Sequence, residues 1–336
     1  MARVRMKDIA REAGVSRGAV SFALNDRPGV SEETRRRVKQ VAAEMGWSPS
    51  AAALALSSRQ ARAVGLVIAS SNDSFASESF FLRLISGIER SLQPLNFSLV
   101  LQVVPDLEAE AAACRTWWAE GRVDGVLLVN PQLDDPRAAL MAELGMPGVV
   151  VGGSWPGERL AGLPTDDRGA MRQVVEHLAA QGHRRVAYVL GRGGLDHTRV
   201  RQEVFEQVAH AAGLHPEVSA FTDVTEDSGR RETARLLQLD ARPTAIVYDN
   251  EILALGGMAG VQAAGLACPD DVAIVSCEDS PICRVVQPGI TSLVRDPALL
   301  GQMATDRLLE LLAGQPPTEG PAPTPELAVR ASTLSP

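Results

Sequence analysis

The chain has 336 residues, of which 45% are hydrophobic and 22% charged, with a net charge of −8 at neutral pH. This length exceeds one ordinary hydrophobic core, so we expect two or three domains. The absence of a run of 18 apolar residues and the basic, helical beginning argue against a membrane-spanning or exported protein, which predicts a cytoplasmic location and no membrane partner. The cysteines lack metal-ligand and disulfide spacing, so we expect reduced thiols, no metal and no cofactor.

Residues 7–25 contain two short helical patterns joined by a tight turn. Gly14 lies in the turn, and Ser16 precedes the second helix, whose apolar stripe can pack against that of the first. The outer face of the second helix consists of Arg17, Gly18, Ser21 and Phe22. Such a surface fits a DNA major groove, as in a helix-turn-helix. The pattern alone leaves a small helical hairpin on an enzyme as the alternative.

A third helix is predicted after Ser31, whose hydroxyl can cap a first turn that carries Glu32 and Glu33. Its buried face consists of Val38, Val41, Ala42 and Met45. The three basic residues at positions 35–37 have two interpretations, a solvated helix face or contacts to DNA phosphates.

The charges are divided unevenly along the chain. Residues 1–62 contain 12 Lys and Arg against 6 Asp and Glu, a net charge of +6. The remaining residues, 63–336, contain 21 against 35, a net charge of −14. Because an acidic body repels phosphate, we expect DNA contacts to be confined to the first segment.

From Ala63 onward, short apolar runs alternate with amphipathic helical stretches, the pattern of βαβ units in parallel sheets. Strands are predicted at 64–70, 97–104, 123–130, 148–153, 185–191, 244–249 and 271–277. Helices are predicted near 78–93, 107–120, 136–145, 168–181, 198–213, 228–239, 251–265 and 298–313. A Gly- and Pro-rich break at 152–164 divides the strands into two groups, which predicts two α/β lobes.

Several segments carry a resemblance to the LacI/GalR family of bacterial transcription regulators. In the first domain these are KDIAREAGVS from Lys7, the helix end at Asn25, VSEETRRRV at 30–38 and GWSP at 46–49. The body is similar to a two-lobed periplasmic sugar-binding protein through runs such as RVDGVLLV and RPTAIVYDNEILALGG. The resemblance implies an all-α helix-turn-helix headpiece followed by a periplasmic-binding-protein-like α/β body of two Rossmann-like lobes.

The resemblance also implies the domain bounds. It gives a headpiece at 1–48, a hinge helix and linker at 49–62, and an effector-binding and dimerisation domain at 63–336. Three crossovers divide that domain into a first lobe of about 63–162 and 295–321 and a second lobe of about 163–294 and 322–336.

The segment Ser50–Ser58 is too short to be a stable isolated helix, so we expect partial disorder without DNA. In the family this element folds on the operator and inserts a leucine into the minor groove, where an apolar wedge kinks DNA. Leu56 aligns with that leucine and Ala53 lies one turn before it; a plain alanine linker is the alternative. The family usually has Asn and Arg where this chain has Ser50 and Leu54.

The second helix also departs from the family at Phe22, where many relatives have Arg or Lys. A phenyl ring cannot donate to guanine but can pack on a thymine methyl group or on sugar. Gly18 costs about 1 kcal/mol relative to alanine in a helix. Arg17 is therefore the main candidate for base readout, with phosphate contact as the alternative. The predicted DNA contacts are Arg5, Lys7, Ser16, Arg17, Gly18, Ser21, Phe22, Asn25, Ser31, Ala53 and Leu56.

The resemblance implies a sugar or sugar derivative bound in the cleft between the lobes. Arg201 aligns with an arginine that binds sugar hydroxyls, Asn250 with a binding-site asparagine, and Glu278 with a position that is usually Asp. Gly152 and Gly153 stand where relatives often have a ligand-binding Asp, which predicts an effector that differs from simple hexoses and is larger. The candidate effector contacts are Phe75, Phe81, His197, Arg201, Asn250 and Glu278. For Phe80, Phe81 and His197 a structural role is the alternative.

No catalytic arrangement competes, because the five histidines lack a nucleophile context and no phosphate-binding loop is present. The chain is therefore not expected to be an enzyme. It is interpreted as a ligand-responsive, sequence-specific DNA-binding transcriptional regulator, a repressor of sugar uptake or catabolism genes. Its expected partners are a pseudo-palindromic double-stranded operator, a small-molecule effector and a second copy of the chain in a homodimer. A solute-binding protein without DNA function is the alternative.

Overall fold

The computed structural model describes residues 4–47, 60–70, 79–153, 155, 157 and 159–334. The chain forms two compact units, Met1–Ala61 and Arg62–Pro336. Each unit has its own hydrophobic core.

The first unit contains three helices, α1 (Met6–Ala13), α2 (Arg17–Leu24) and α3 (Glu32–Glu44), as the sequence predicts. The hydroxyls of Ser16 and Ser31 accept hydrogen bonds from the backbone N–H groups of the first turns of α2 and α3, at 3.1 and 3.2 Å. Its fully packed side chains are Ile9, Ala10, Ala13, Val20, Ala23, Val38 and Ala42, with Val41 and Met45 partly buried against them.

The second unit begins with a five-stranded parallel sheet in the order β2-β1-β3-β4-β5. Its elements are β1 (Ala63–Ala69), α4 (Ser79–Leu92), β2 (Ser98–Val104), α5 (Leu107–Ala119), β3 (Gly125–Leu128), α6 (Pro136–Leu144), β4 (Gly148–Val151) and β5 (Leu160–Leu163). The central strands are buried on both faces, which is why they consist of Val, Leu and Ile.

The chain then builds a six-stranded sheet in the order β11-β10-β9-β8-β6-β7. Its elements are α7 (Asp167–Ala180), β6 (Arg185–Val189), α8 (Asp196–Ala211), β7 (His215–Val218), α9 (Glu226–Leu237), β8 (Ala245–Tyr248), α10 (Glu251–Ala263), β9 (Ala273–Ser276), α11 (Pro281–Val285), β10 (Thr291–Val294) and β11 (Glu326–Ala328). A further helix, α12 (Pro297–Leu312), lies between β10 and β11 in the chain. All strand pairs are parallel except β10 with β11, which is antiparallel.

The structure corrects the sequence prediction at the sheet edges. The expected break at 152–164 contains strand β5, which pairs with β4 over four residues. Strand β7 is an edge strand that contains Pro216, so it lacks the apolar run that marks the central strands. Strand β10 is also absent from the predicted strands, although it lies inside the second sheet between β9 and β11. The helix α11 was likewise not predicted.

Helix α12 returns to the first sheet after the second one has been built. It packs against α4 through two glycines, Gly87 and Gly301. A Cβ atom on Gly87 would overlap the carbonyl oxygen of Ala298, and one on Gly301 would overlap the carbonyl oxygen of Leu84. The two helix backbones therefore touch, and no larger residue fits at either position.

We expect Gly87→Ala to destabilise the protein by about 2 kcal/mol or more, because overpacking against a helix backbone outweighs the gain in helix propensity. Denaturant unfolding followed by circular dichroism measures this change. Ser86→Ala lies on the exposed side of the same helix and serves as the control. Equal stability of the two variants would contradict the close helix contact.

Candidate DNA-binding surface and effector cleft

The predicted DNA contacts of the first unit lie on its surface. Ser21 is half-buried, and the others in the described part of the chain are exposed, namely Arg5, Lys7, Ser16, Arg17, Gly18, Phe22, Asn25 and Ser31. Asn25 also has a local role, since its side-chain amide donates to the Ser21 carbonyl at 2.8 Å. Ala53 and Leu56, together with Ser50 and Leu54, lie outside the described residues.

The ring of Phe22 is 41% exposed and packs on Gly29. Gly29 has a φ of +117°, and a Cβ there would lie 3.1 Å from the phenyl ring. The glycine therefore supports the ring from one side while the rest of it stays accessible. Such a supported ring presents an apolar patch on the recognition face.

Arg35 does not lie on a solvated helix face, which was one of the two interpretations of the basic residues at 35–37. Its side chain is only 13% exposed, and it donates to the carbonyl oxygens of Phe22 and Arg27 at 3.3 and 3.0 Å. It also pairs with Asp26 at 3.3 Å, and Asp26 accepts from Lys39 at 2.7 Å. Arg35 thus holds the end of α2 in place, whereas the side chains at 36 and 37 stay exposed.

In the second unit a cavity of about 110 Å³ lies between the two sheets, at the ends of their strands. Five of the predicted effector contacts line it: Phe81, His197, Arg201, Asn250 and Glu278. Phe81 also belongs to the core beside the first sheet. Phe75 lies outside the described residues.

Arg201 lies on α8 and is buried, with 4% of its side chain exposed. Its guanidinium donates to the carboxylates of Asp167 at 2.7 Å and Asp249 at 3.1 Å, and pairs with Glu278 at 3.3 Å. Burial alone would lower the pKa of Arg201, but the three carboxylates outweigh burial and raise it well above its ordinary value. The arginine is therefore permanently charged and held in one orientation.

Two charged residues of this cluster were missed by the sequence analysis. Arg295 follows β10, is 9% exposed, and lies 3.2 Å from Asp167 and 3.3 Å from Glu278. Asp167 is the first residue of α7. Burial opposes its ionisation, yet Arg201 and Arg295 together hold the pKa of its carboxyl well below the usual range. One ion cluster thus contains two arginines and three acids, Asp167, Asp249 and Glu278.

Glu278 belongs to this cluster rather than to the protein surface. Burial raises the pKa of its carboxyl, although Arg295 and Arg201 oppose the rise. Gly152 lines the cavity with a φ of +85°, so no carboxylate is present there. Glu278 reaches the two arginines, and the cavity volume lies below the ~300–1,000 Å³ typical of small-molecule sites.

The side-chain oxygen and nitrogen of Asn250 have different functions. Its Oδ1 accepts from the backbone N–H of Leu253 at 3.0 Å and so caps α10. This bond fixes the side chain at the wall of the cavity. The amide nitrogen is then the group that can donate to a ligand.

The two lobes contact each other around the cavity. The backbone N–H of Asp196 donates to the Pro131 carbonyl at 2.9 Å. Arg192 donates to the Ser70 hydroxyl at 3.2 Å, and the Ser79 hydroxyl donates to Glu251 at 3.2 Å. Polar contacts between the two lobes therefore already close the cleft before a ligand binds.

Burial lowers the pKa of His197 to about 4, and the charge of Arg201 adds to the shift. Because the unfolded chain binds the proton near pH 6.5, the contribution of His197 to stability is lost as the pH falls from 6.5 to 4. We expect His197→Asn to flatten the loss of stability in this window, measured by thermal unfolding at a series of pH values. His210→Asn, at an exposed histidine on the same helix, should retain the wild-type slope; identical slopes for all three proteins would contradict the assignment.

No helix among the described residues has the length and apolar character needed to cross a membrane. Within the same residues, no group of three or more His, Cys, Asp or Glu side chains is arranged to hold a metal ion.

Each of the two units matches a family of known proteins. Residues 5–50 match bacterial regulatory proteins of the lacI family, and residues 175–333 match the periplasmic binding protein-like domain. The regulator AglR of Rhizobium meliloti is 30% identical over 82% of this chain and 78% of its own length. The regulator CelR of Thermobifida fusca is 29% identical over 93% of each chain.

Solved structures agree. A LacI family transcriptional regulator from Bifidobacterium animalis subsp. lactis has 33% identity and a TM-score of 0.74, covering 81% of this chain and 98% of that one. The lac repressor dimer bound to operator and the anti-inducer ONPF has 26% identity and a TM-score of 0.87, over 99% and 100%.

The fold and the two sites define a transcription regulator with a helix-turn-helix headpiece and a periplasmic-binding-protein-like body. The chain belongs to the lacI family of bacterial regulatory proteins. It binds DNA and regulates transcription, and it is not an enzyme, as the sequence predicted. A solute-binding protein without DNA function is disfavoured by the match over residues 5–50.

Proposed function

We propose that this regulator is a cytoplasmic repressor of sugar uptake or catabolism genes, which binds a pseudo-palindromic operator as a homodimer and changes its operator affinity when a sugar occupies the cleft. The observation that carries the proposal is the closed interlobe cleft, in which a buried arginine, an asparagine amide and several carboxylates converge. Charged and amide groups of this kind form hydrogen bonds with vicinal hydroxyls, and the ring of Phe81 can pack against the C–H side of a sugar.

The names of the relatives support this proposal. One solved structure is the regulator CelR in complex with cellobiose, with 29% identity over 98% of this chain. Another relative is the lactose operon repressor of Escherichia coli, 29% identical over the whole chain. The lac repressor structure named above is a dimer on its operator. Sugar response and dimeric operator binding thus both occur among proteins of this likeness.

The proposal assigns a task to each segment of the chain. Residues 1–48 read DNA, with Arg17 and Phe22 at base edges and Arg5, Lys7 and Ser31 among the backbone contacts. Residues 49–62 form the hinge, where Leu56 enters the minor groove beside Ala53. The lobes at 63–162 with 295–321, and 163–294 with 322–336, enclose the effector and carry the dimer contacts.

The cleft binds its ligand through a network that exists before the ligand arrives. Arg201 is already bonded to three carboxylates, so ligand hydroxyls add to fixed donors and acceptors instead of recruiting a free side chain. Such preorganisation lowers the ordering cost of binding. His197, neutral at physiological pH because its pKa is about 4, adds a polar group without charge.

The test measures operator binding by fluorescence anisotropy on the DNA upstream of the gene and on family-like palindromes, with a panel of sugars. We expect affinity to fall with salt at a log–log slope of about −0.9 per neutralised phosphate and one sugar to change it. Asn250→Ser retains the helix cap but removes the amide donor, so the sugar response should fall ~5–100-fold while affinity of the free protein stays within about twofold.

Asp106→Ser replaces the cap of a helix, α5, at a residue that does not line the cavity, and is the matched control for Asn250→Ser. It should leave both the operator affinity and the sugar response unchanged. Binding that ignores salt on every palindrome, or operator affinity that no sugar alters, would refute the proposed function.

The hinge is tested separately by Leu56→Ala. Because the wedge meets only DNA, this change should lower operator affinity and DNA bending but leave sugar affinity unchanged. Gel mobility of circularly permuted operator fragments measures the bend, and calorimetry measures sugar binding. Loss of sugar binding to the same degree would exclude the wedge role.

A further inference from the structure

Two large apolar side chains are exposed on loops that lead into the effector cleft. Phe221 is 54% exposed and Leu133 is 60% exposed. Single exposed leucines are common on protein surfaces, but an exposed phenyl ring beside a ligand site can mark a binding surface.

The loop that carries Phe221 is held against the wall of the cleft. The backbone N–H of Thr222 donates to the Gly191 carbonyl at 3.0 Å, and its hydroxyl donates to the Leu190 carbonyl at 2.8 Å. Both joined loops lead directly into cavity-lining residues, Arg192 on one side and Val224 on the other. Phe221 therefore lies at the rim of the cavity, on the side of the second lobe.

Val224 has a φ of +60°, an uncommon conformation for a β-branched residue. The loop thus holds a strained turn between the phenylalanine and the cavity. Backbone strain of this kind costs free energy and persists where the surrounding structure fixes the conformation, which is common at functional sites.

The phenyl ring of Phe221 packs against Gly193. A Cβ atom at this position would lie 3.0 Å from the ring of Phe221, so only glycine lets the ring settle without displacement. The ring is supported on one side by backbone and remains accessible over the rest of its surface.

Leu133 flanks the same entrance from the first lobe. It follows Gln132, which forms an isolated antiparallel bridge with Leu195, itself a lining residue of the cavity. The point where the lobes touch therefore carries an exposed apolar side chain on each side.

The inner cavity restricts what can bind within it. Its volume of about 110 Å³ lies below the usual range of small-molecule sites, so the room for a ligand inside it is limited. A further ring of the effector then extends outward past the entrance, beside the loops that carry Phe221 and Leu133.

We propose that Phe221 and Leu133 form an outer subsite that binds the second pyranose ring of an effector with at least two sugar units, the C–H face of that ring packing on the phenyl group. The inference rests on the proposed sugar response and specifies its ligand class. Aromatic rings contribute apolar area at low entropic cost, and the inner polar cluster then selects the terminal sugar.

Calorimetric titration tests the subsite with glucose and galactose as single rings and with cellobiose, maltose, lactose and melibiose as double rings. We expect a disaccharide to bind the wild type, Phe221→Ala to weaken that binding about 5–30-fold, and Phe221→Trp to restore it. The single-ring sugars, which end inside the cleft, should behave alike on the wild type and on Phe221→Ala.

Two further variants separate the subsite from general loss of structure. Gly193→Ala shifts the ring by a few tenths of an ångström without a backbone conflict, because Gly193 does not have a positive φ, and should weaken disaccharide binding less than Phe221→Ala does. Leu133→Ala should weaken disaccharide binding, whereas Leu95→Ala, another exposed leucine, should not.

Disaccharide binding that is unchanged in Phe221→Ala, or reduced equally for single and double rings, would overturn the outer subsite while leaving the sugar response intact. If the wild type binds no sugar of either length, the proposed function itself fails.

Discussion

The pairing of buried charges is the constraint on which the architecture of the body depends. Asp167, Arg201, Glu278 and Arg295 come from four separate elements, and each is removed from water. An unpaired charge in such surroundings costs several kcal/mol, roughly 3–5 kcal/mol when one partner of a buried pair is lost, so these elements have to meet. Since Asp167 and Arg295 flank two of the interlobe crossovers, the cluster fixes the cleft and the crossovers together.

Groups of this cluster line the cavity, where they are available to a polar ligand. The carboxylates and guanidiniums already satisfy one another, and a hydroxyl that approaches them both accepts and donates. A ligand that changes the balance within the cluster acts directly on the segments that connect the lobes. The contacts across the cleft, Arg192 with Ser70 and Ser79 with Glu251, also involve residues that line the cavity.

Sequence patterns predicted the elements whose cause is local. Helices α1 to α3 and most central strands were predicted because capping hydroxyls, helical periodicity and buried apolar runs are visible within a few residues. The strands β5, β7 and β10 were not, and Arg295 meets Asp167 across 128 residues of chain. Arg35 was expected on a solvated helix face or at a DNA phosphate, and Phe221 carried no sequence signal. Their roles follow from backbone carbonyls and a glycine elsewhere in the chain, which no local pattern encodes.

The return of α12 to the first lobe sets an order on folding. The glycine contact between α4 and α12 joins segments more than 200 residues apart, as the Ser91–Asp306 hydrogen bond, with its separation of 215, illustrates. During synthesis, the apolar face of α4 therefore stays uncovered until nearly the whole second lobe has emerged. The second lobe, which is almost continuous in the chain, can collapse first, and closure of this long loop is the slow, entropically costly step. The face of α4 that meets α12 is thus a surface through which the nascent chain can aggregate.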